Sequence, residues 1–445
     1  MRLPASVPLL LLAAASAAPT AVAQPVSLTP RDVLVVTNDG LFWLPKIGGF
    51  ATKLADAGDF GTLAGAAIEW VPGTDSVLVV TANQVMHVTV TGSPPSGALI
   101  SNISPAVPGS PAFYDLDIHP GTGELWLLDR GNGLLHEFKA PYFTGMVPVQ
   151  SISVLKSTRG LCIDPRAWPR RLVTAGTTGV SFVDATTGVV TMKSLFTNST
   201  GVECEQDMIN HPMAVRPGED SISVCLSLNL VVEINLGGFC RPANKPVDVD
   251  WSPTNRRLYA LAEDGINTCA GAYTGGNHIV RYQVPAGGPN PPVIMTSTAG
   301  SGITGASGDL TLVQDDFAYA YRYGPDCVAS NGVPTFDHTD GIAQSPNLGN
   351  QNFNLELRNA PVNAPVWIIF GFAEASIPLG NCEALLSPVY ALTLPNADAN
   401  GELDLPVGVP SLASLQGLDV LLQILMTEAN GLPVTTNGLK VHLGL

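Results

Sequence analysis

The chain is short of charge, and shortest of positive charge. Asp, Glu, Lys and Arg make up 13% of its 445 residues, with 21 basic side chains against 37 acidic ones and a formal net charge of −16. That balance argues against a nucleic-acid backbone or an anionic membrane surface as partner. It remains compatible with a cationic ligand, although an acidic surface also serves solubility alone. Beyond the first 23 residues no window is long and apolar enough to span a bilayer, so no transmembrane segment is expected. The seven cysteines form no CxxC and have neither zinc nor iron–sulfur spacing. No Gly-x-Ser-x-Gly elbow, HExxH helix or P-loop occurs. What the chain has in quantity is 45 glycines and 37 prolines, which demand frequent turns and disfavour long exposed helices.

Residues 1–23 read as a signal peptide. Arg2 and the amino terminus supply a short positive end, and from Val7 to Ala17 only Ser16 interrupts an apolar run. Ala21-Val22-Ala23 then places small residues where a signal peptidase needs them, so cleavage is expected before Gln24. The competing reading is a buried apolar element at a domain start. Export implies a secreted, periplasmic or cell-envelope protein in which disulfides are allowed. Cys162 and Cys225 lie in apolar strand patterns and read as buried thiols. Cys327 with Cys382 is the favoured pair, because no other cysteine lies in the C-terminal region; Cys240 with Cys269 is a second candidate pair.

A diverged repeat organises the first 300 residues. A strand followed by a Pro turn recurs at Ile68–Pro72, Asp117–Pro120, Cys162–Pro165, Ala214–Pro217 and Asp250–Pro253, the prolines lying 48, 45, 52 and 36 residues apart. Each turn leads into a second strand, and six copies of a third strand start 44 to 50 residues apart, from Leu41 to Ile279. Three or four short strands per 45 residues suit a propeller blade, whose two apolar faces are buried by radial stacking. The pattern predicts an all-β chain: a six-bladed β-propeller over 24–320, with seven blades the main alternative, followed by a C-terminal antiparallel β-sandwich over 321–445. A pair of sandwiches or an irregular solenoid is the remaining alternative. Nothing near the mature start resembles a first inner strand, so Gly308–Val313 is expected to supply it and close the ring.

On these Pro turns and aliphatic strands, the region resembles the exported YVTN, NHL-type and lactonase-like propellers. The class includes enzymes, ligand-binding proteins and interaction modules, so the resemblance implies a fold and not a function. The C-terminal stretch opens with Tyr323-Gly324-Pro325-Asp326-Cys327. It continues through Asn359-Ala360-Pro361-Val362-Asn363-Ala364-Pro365 to an Asp398-x-x-Gly401 turn. These phrases resemble a recurrent C-terminal module of large exported proteins from planctomycete-like and myxobacteria-like bacteria. Here Pro325-Asp326 replaces the module's x-Gly. The resemblance implies a non-catalytic attachment or accessory domain.

Aligning the Pro turns singles out Glu69, Asp117 and Asp250 three residues before the proline, and Asp115 and Asp248 five before. The apolar residues between them fall on the opposite strand face. These five acids are expected to line or flank a central channel, with Asp115 and Asp248 on opposing blades. Such a ring can hold a hard cation such as Ca2+ through oxygen ligands; the competing reading has each acid capping backbone N–H groups. Arg159, His211 and Lys245 form a candidate rim for a small anion. His87 and His136 read as packing or cross-strand residues, His119 as a turn-orienting one, and His278, His338 and His442 lack a nearby partner that would make a catalytic constellation. The sequence therefore points to an exported, non-enzymatic recognition or structural protein with no cofactor. Its partner would be an extracellular protein, a glycan or a small molecule. Two alternatives stand: a metal-dependent lactonase-like hydrolase, and a carbohydrate- or cell-envelope-binding protein.

Overall fold

The computed structural model describes residues 28–46, 50–61, 63, 66–164, 170–193, 197–199, 201–204, 212–216, 221–227, 230–235, 245–252, 257–263, 278–283, 293–297, 302–305, 308–314, 318–325, 327–330, 332–339 and 345–444. They fall into two compact units, Ala23–Asp315 and Asp316–Leu445. Among the described residues the regular elements are β-strands and short 3-10 turns, and no helix is long and apolar enough to cross a membrane.

The first unit contains six four-stranded antiparallel sheets among the described residues. Numbered as blades in chain order, their innermost strands are Asp309–Leu312 (blade one), Ala67–Trp70 (two), Phe113–Ile118 (three), Thr158–Asp164 (four), Val202–Cys204 (five) and Lys245–Ser252 (six). These strands neighbour one another in a closed cycle, blade six meeting blade one. This is a β-propeller. Closure occurs where the sequence places it: Asp309–Leu312 pairs antiparallel with Val33–Val36, with Val33 opposite Leu312 and Val35 opposite Leu310. The latest strand of the ring thus completes the sheet begun by the earliest, leaving no open end between the first and last blades.

The blades stack because their strands are apolar on both faces. In Ser76–Val80 all five residues are buried. Val77 and Val79 face blade one with Leu34, Val36 and Leu41. Leu78 and Val80 face blade three with Leu116, Ile118 and Leu127. Blades three and four meet through Trp126, Leu128, Leu161, Ile163 and Leu172. Each fully buried aliphatic or aromatic side chain contributes about 1.5–3 kcal/mol. The net gain from one hydrogen bond is about 1 kcal/mol. Packing between blades therefore supplies most of the stability, and the polar contacts of the inner ring set how neighbouring strands register.

Blade five departs from the repeat. The strand before its Pro turn, Pro212–Arg216, is the second of the sheet, and the innermost strand is the three-residue Val202–Cys204, with Cys204 opposite Pro212. The Pro turns at 165, 217 and 253 lie outside the described residues, as do Cys240, Cys269 and residues 1–27.

The second unit is an antiparallel sandwich. A five-stranded sheet runs in the order Tyr319–Tyr323, Pro433–Leu443, Leu418–Thr427, Val366–Gly371, Tyr390–Leu394; a three-stranded sheet contains Thr335–His338, Asn354–Arg358 and Leu403–Pro406. Their facing residues form one core that includes Phe336, Leu355, Leu357, Ile368, Leu422, Ile424 and Leu439. The hairpin Glu374–Leu379 with Cys382–Leu386 is a separate two-stranded sheet. The strands Cys382–Leu386 and Tyr390–Leu394 are separated where the Ser387 N–H donates to Ala373 O. The expected disulfide Cys327–Cys382 is present. Asn359 and Asn363 in the Pro-rich turn take positive φ of 58° and 56°, a conformation asparagine tolerates better than most side chains.

Candidate functional site

Each inner strand alternates. One set of side chains packs on the preceding blade, and the other points to the channel and the following blade. Leu116 and Ile118 of blade three belong to the core shared with blade two, so Asp115 and Asp117 face the other way. An innermost strand has no partner on its channel side, and its outward N–H groups need acceptors. The next blade back provides them. Leu161 N–H donates to Asp115 Oδ2 and Ile163 N–H to Asp117 Oδ2, both at 2.6 Å. Leu310 N–H donates to Asp248 Oδ2 at 3.3 Å and Leu312 N–H to Asp250 Oδ2 at 2.6 Å. Ile68 N–H donates to Asp309 Oδ2 at 2.8 Å, and Trp70 N–H to Thr311 Oγ1 at 3.1 Å. The second carboxylate oxygen accepts the N–H of the following residue at Asp115, Asp250 and Asp309. Each aspartate is a clasp between blades, two residues apart along each strand. The capping anticipated in the turns thus occurs across the joints.

Glu69, Asp117 and Asp250 gather with Glu203, Trp70 and Gln314 around one hollow of about 290 Å3, its open mouth included. Glu69 Oε1 accepts from Thr311 Oγ1 at 3.3 Å and from Trp70 N–H at 3.1 Å. Gln314 Oε1 in the same hollow is buried without a hydrogen-bond partner among the described residues. Burial, reinforced by the other carboxylates, raises the Glu69 and Glu203 carboxyls well above their ordinary range. Burial lifts Asp117 and Asp250 to about 7, against the pull of the backbone N–H groups they accept. Asp115 and Asp248 are raised by burial and then by Asp309. Among the described residues no group of three or more His, Cys, Asp or Glu side chains is arranged to hold a metal ion.

Three members of the ring escape a reading of the sequence: Asp309, on a strand with no Pro turn after it to align it, Glu203 and Cys162. Glu203 occupies in blade five the position of Asp117 and Asp250, but its strand has no Pro turn after it to reveal the register. Cys162 occupies the same position in blade four, and there a disulfide to Cys204 of blade five replaces the carboxylate clasp. Cys162 is therefore not a buried thiol. Gly160 takes the place of Asp115: a Cβ there would lie 3.0 Å from Val202 N, so the two strands approach too closely for a longer side chain. Of the proposed rim, Arg159 and Lys245 lie at or near the starts of the inner strands of blades four and six. His211 is outside the described residues, and the strand after it begins beside Cys204, at the end of its inner strand.

The histidines have local work. His119 Nδ1 accepts from Gly121 and Thr122 N–H, both at 3.1 Å, and so orients its Pro turn. His136 Nδ1 lies 2.8 Å from Ser151 Oγ across the strand pair. His338 and His442 do have acidic partners: His338 Nδ1 is 3.1 Å from Asp337 Oδ1, and His442 Nδ1 is 2.6 Å from Asp419 Oδ1, with its ring stacked on Tyr319. Asp398 Oδ1 accepts Asn400 and Glu402 N–H groups and closes a turn.

No protein-family model and no curated protein matches the chain. Among solved structures it is similar to a chain of a nidogen/laminin complex, at 10% identity and TM-score 0.43, covering 64% of this chain and 99% of that one. It is also similar to a streptogramin B lyase, at 10% identity and TM-score 0.35, covering 92% and 98%. A third is virginiamycin B lyase from Staphylococcus aureus, at 11% identity and TM-score 0.34, covering 84% and 93%. At these scores the likenesses carry no argument, and the assignment of the fold rests on sheet order and closure.

Proposed function

We propose that the mature chain is an exported, non-enzymatic recognition or structural protein. The propeller over 24–320 is its scaffold, and the sandwich over 321–445 is an accessory module. One observation carries the reading. The channel aspartates, the residues best suited to a reactive centre, have their oxygens committed to backbone N–H groups of neighbouring strands. A catalytic carboxylate needs an oxygen directed at substrate or metal. Two disulfides, Cys162–Cys204 and Cys327–Cys382, support residence outside the cytoplasm. The partner is an extracellular protein, a glycan or a small molecule.

The competing reading is a Ca2+-dependent hydrolase working in the same channel. Metal analysis of the purified mature protein, followed by a lactone-hydrolysis and glycan-binding screen, separates the two. The scaffold reading expects no stoichiometric metal and no hydrolysis. It also expects Asp117→Ala and Asp250→Ala to lower stability. Stoichiometric calcium with lactone turnover abolished in either variant would overturn it.

A further inference from the structure

Blades two and three each set a serine of the outermost strand opposite a histidine of the third strand: Ser101 opposite His87, and Ser151 opposite His136. The two pairs differ in what lies beside the ring. In blade two the Ser101 hydroxyl donates to the His87 backbone carbonyl at 3.3 Å. The second-strand residue opposite Val85, two before that histidine, is Val80. In blade three Ser151 Oγ lies 2.8 Å from His136 Nδ1. The residue equivalent to Val80, opposite Leu134, is Asp129, and its Oδ2 lies 3.5 Å from His136 Nε2. Hydroxyl, imidazole and carboxylate thus follow one another, with the serine exposed and the other two side chains 1% and 0% exposed.

The groups are in the states that nucleophile activation needs. Asp129 Oδ1 accepts the Ala112 and Asn132 N–H groups at 2.9 and 3.2 Å, and Oδ2 accepts from Asn132 Nδ2 at 2.6 Å. Burial works against its charge, but these donors hold the carboxyl below its ordinary range. A carboxylate facing Nε2 favours the tautomer protonated there, which leaves Nδ1 to accept from Ser151. Burial lowers the His136 imidazole below its ordinary value, against the pull of Asp129, and keeps the ring neutral and ready to take a proton.

We propose that Ser151 is an activated nucleophile that takes up one acyl group from an activated ester, with His136 as its base. Ser151 Oγ bonds to the acyl carbon as the ester's bond to its leaving oxygen breaks. The hydroxyl proton passes to His136 Nδ1 and from there to the departing oxygen. Asp129 is a positioning residue: it sets the tautomer and offsets the positive charge that forms on a buried ring. This goes beyond recognition: the product is an acyl-serine on the outer edge of blade three, not a released acid.

Treating the full mature chain with p-nitrophenyl acetate and mapping acetylated peptides by mass at timed intervals tests this. Ser151 is expected to be acetylated at least about tenfold faster than Ser101, which is also exposed and also faces a histidine. In His136→Gln, which can hydrogen-bond the hydroxyl but takes no proton, that advantage should disappear. In Asp129→Asn, which keeps an acceptor oxygen but no charge, it should shrink at least about threefold while the Ser101 rate stays unchanged. The wild-type comparison of the two serines stands even where a variant fails to fold. A Ser151 rate less than tenfold above Ser101, or one undiminished in folded His136→Gln, would overturn the proposal. A rate undiminished in folded Asp129→Asn would overturn the part given to Asp129.

Discussion

Two joints of the propeller hold equivalent strands by unlike chemistry. Between blades three and four, Asp115 and Asp117 accept the N–H groups of Leu161 and Ile163. Between blades four and five the same two positions are Gly160 and Cys162. There the backbones approach closely, and a covalent bond to Cys204 takes the place of the second clasp. What the position requires is a link to the next blade, and a carboxylate is one means of supplying it. The means differ in consequence, because a carboxylate clasp responds to pH and a disulfide does not.

The covalent joint is the one whose loss should cost most. Replacing Cys162 and Cys204 together by serine removes a cross-link spanning 42 residues and is expected to cost about 2–5 kcal/mol in chemical denaturation. A loss no larger than that of a single clasp would make the two joints equivalent. Next comes Asp117→Ala, which leaves the Ile163 N–H without its acceptor and should cost about 1–3 kcal/mol. Asp117→Asn keeps an acceptor oxygen and should cost less; equal losses would mean that the clasp contributes nothing. Gly160→Ala forces a methyl against Val202 N and should cost about 1–3 kcal/mol. Gly58→Ala, with nothing within 4 Å, should stay within about 0.5 kcal/mol. The smallest effect is on the pH profile. Asp117 and Asp250 are raised to about 7, so their contribution is complete below pH 4 and declines through 7. Thermal melts of wild type should fall over that range, and Asp117→Asn should make the fall slightly shallower. A melting temperature that rises from pH 4 to 7 would contradict the sign.

Much of the ring is legible because its rule is local. Strand, Pro turn and aliphatic strand recur within 50 residues, and period-two alternation separates Asp115 and Asp117 from Leu116 and Ile118. The absence of a first inner strand is also a local fact, and it points to Asp309–Leu312. The clasps are not legible in the same way. The partner of Asp117 is the backbone of a residue 46 positions on, and no side-chain pattern marks a backbone donor. Glu203 is hidden because its strand has three residues and no Pro turn follows it. Cys162 looks like a core thiol until the fold brings Cys204 beside it. In the sandwich, Thr335–His338 and Leu403–Pro406 are four residues each, too short for alternation to separate them from loops.

The channel aspartates join the blades. Amide exchange at Leu161 and Ile163 in Asp115→Ala and Asp117→Ala tests this. Protection is expected to be lost at Leu161 in the first variant and at Ile163 in the second, with the strand Arg171–Gly176 unchanged. Undiminished protection at both amides in both folded variants would contradict it.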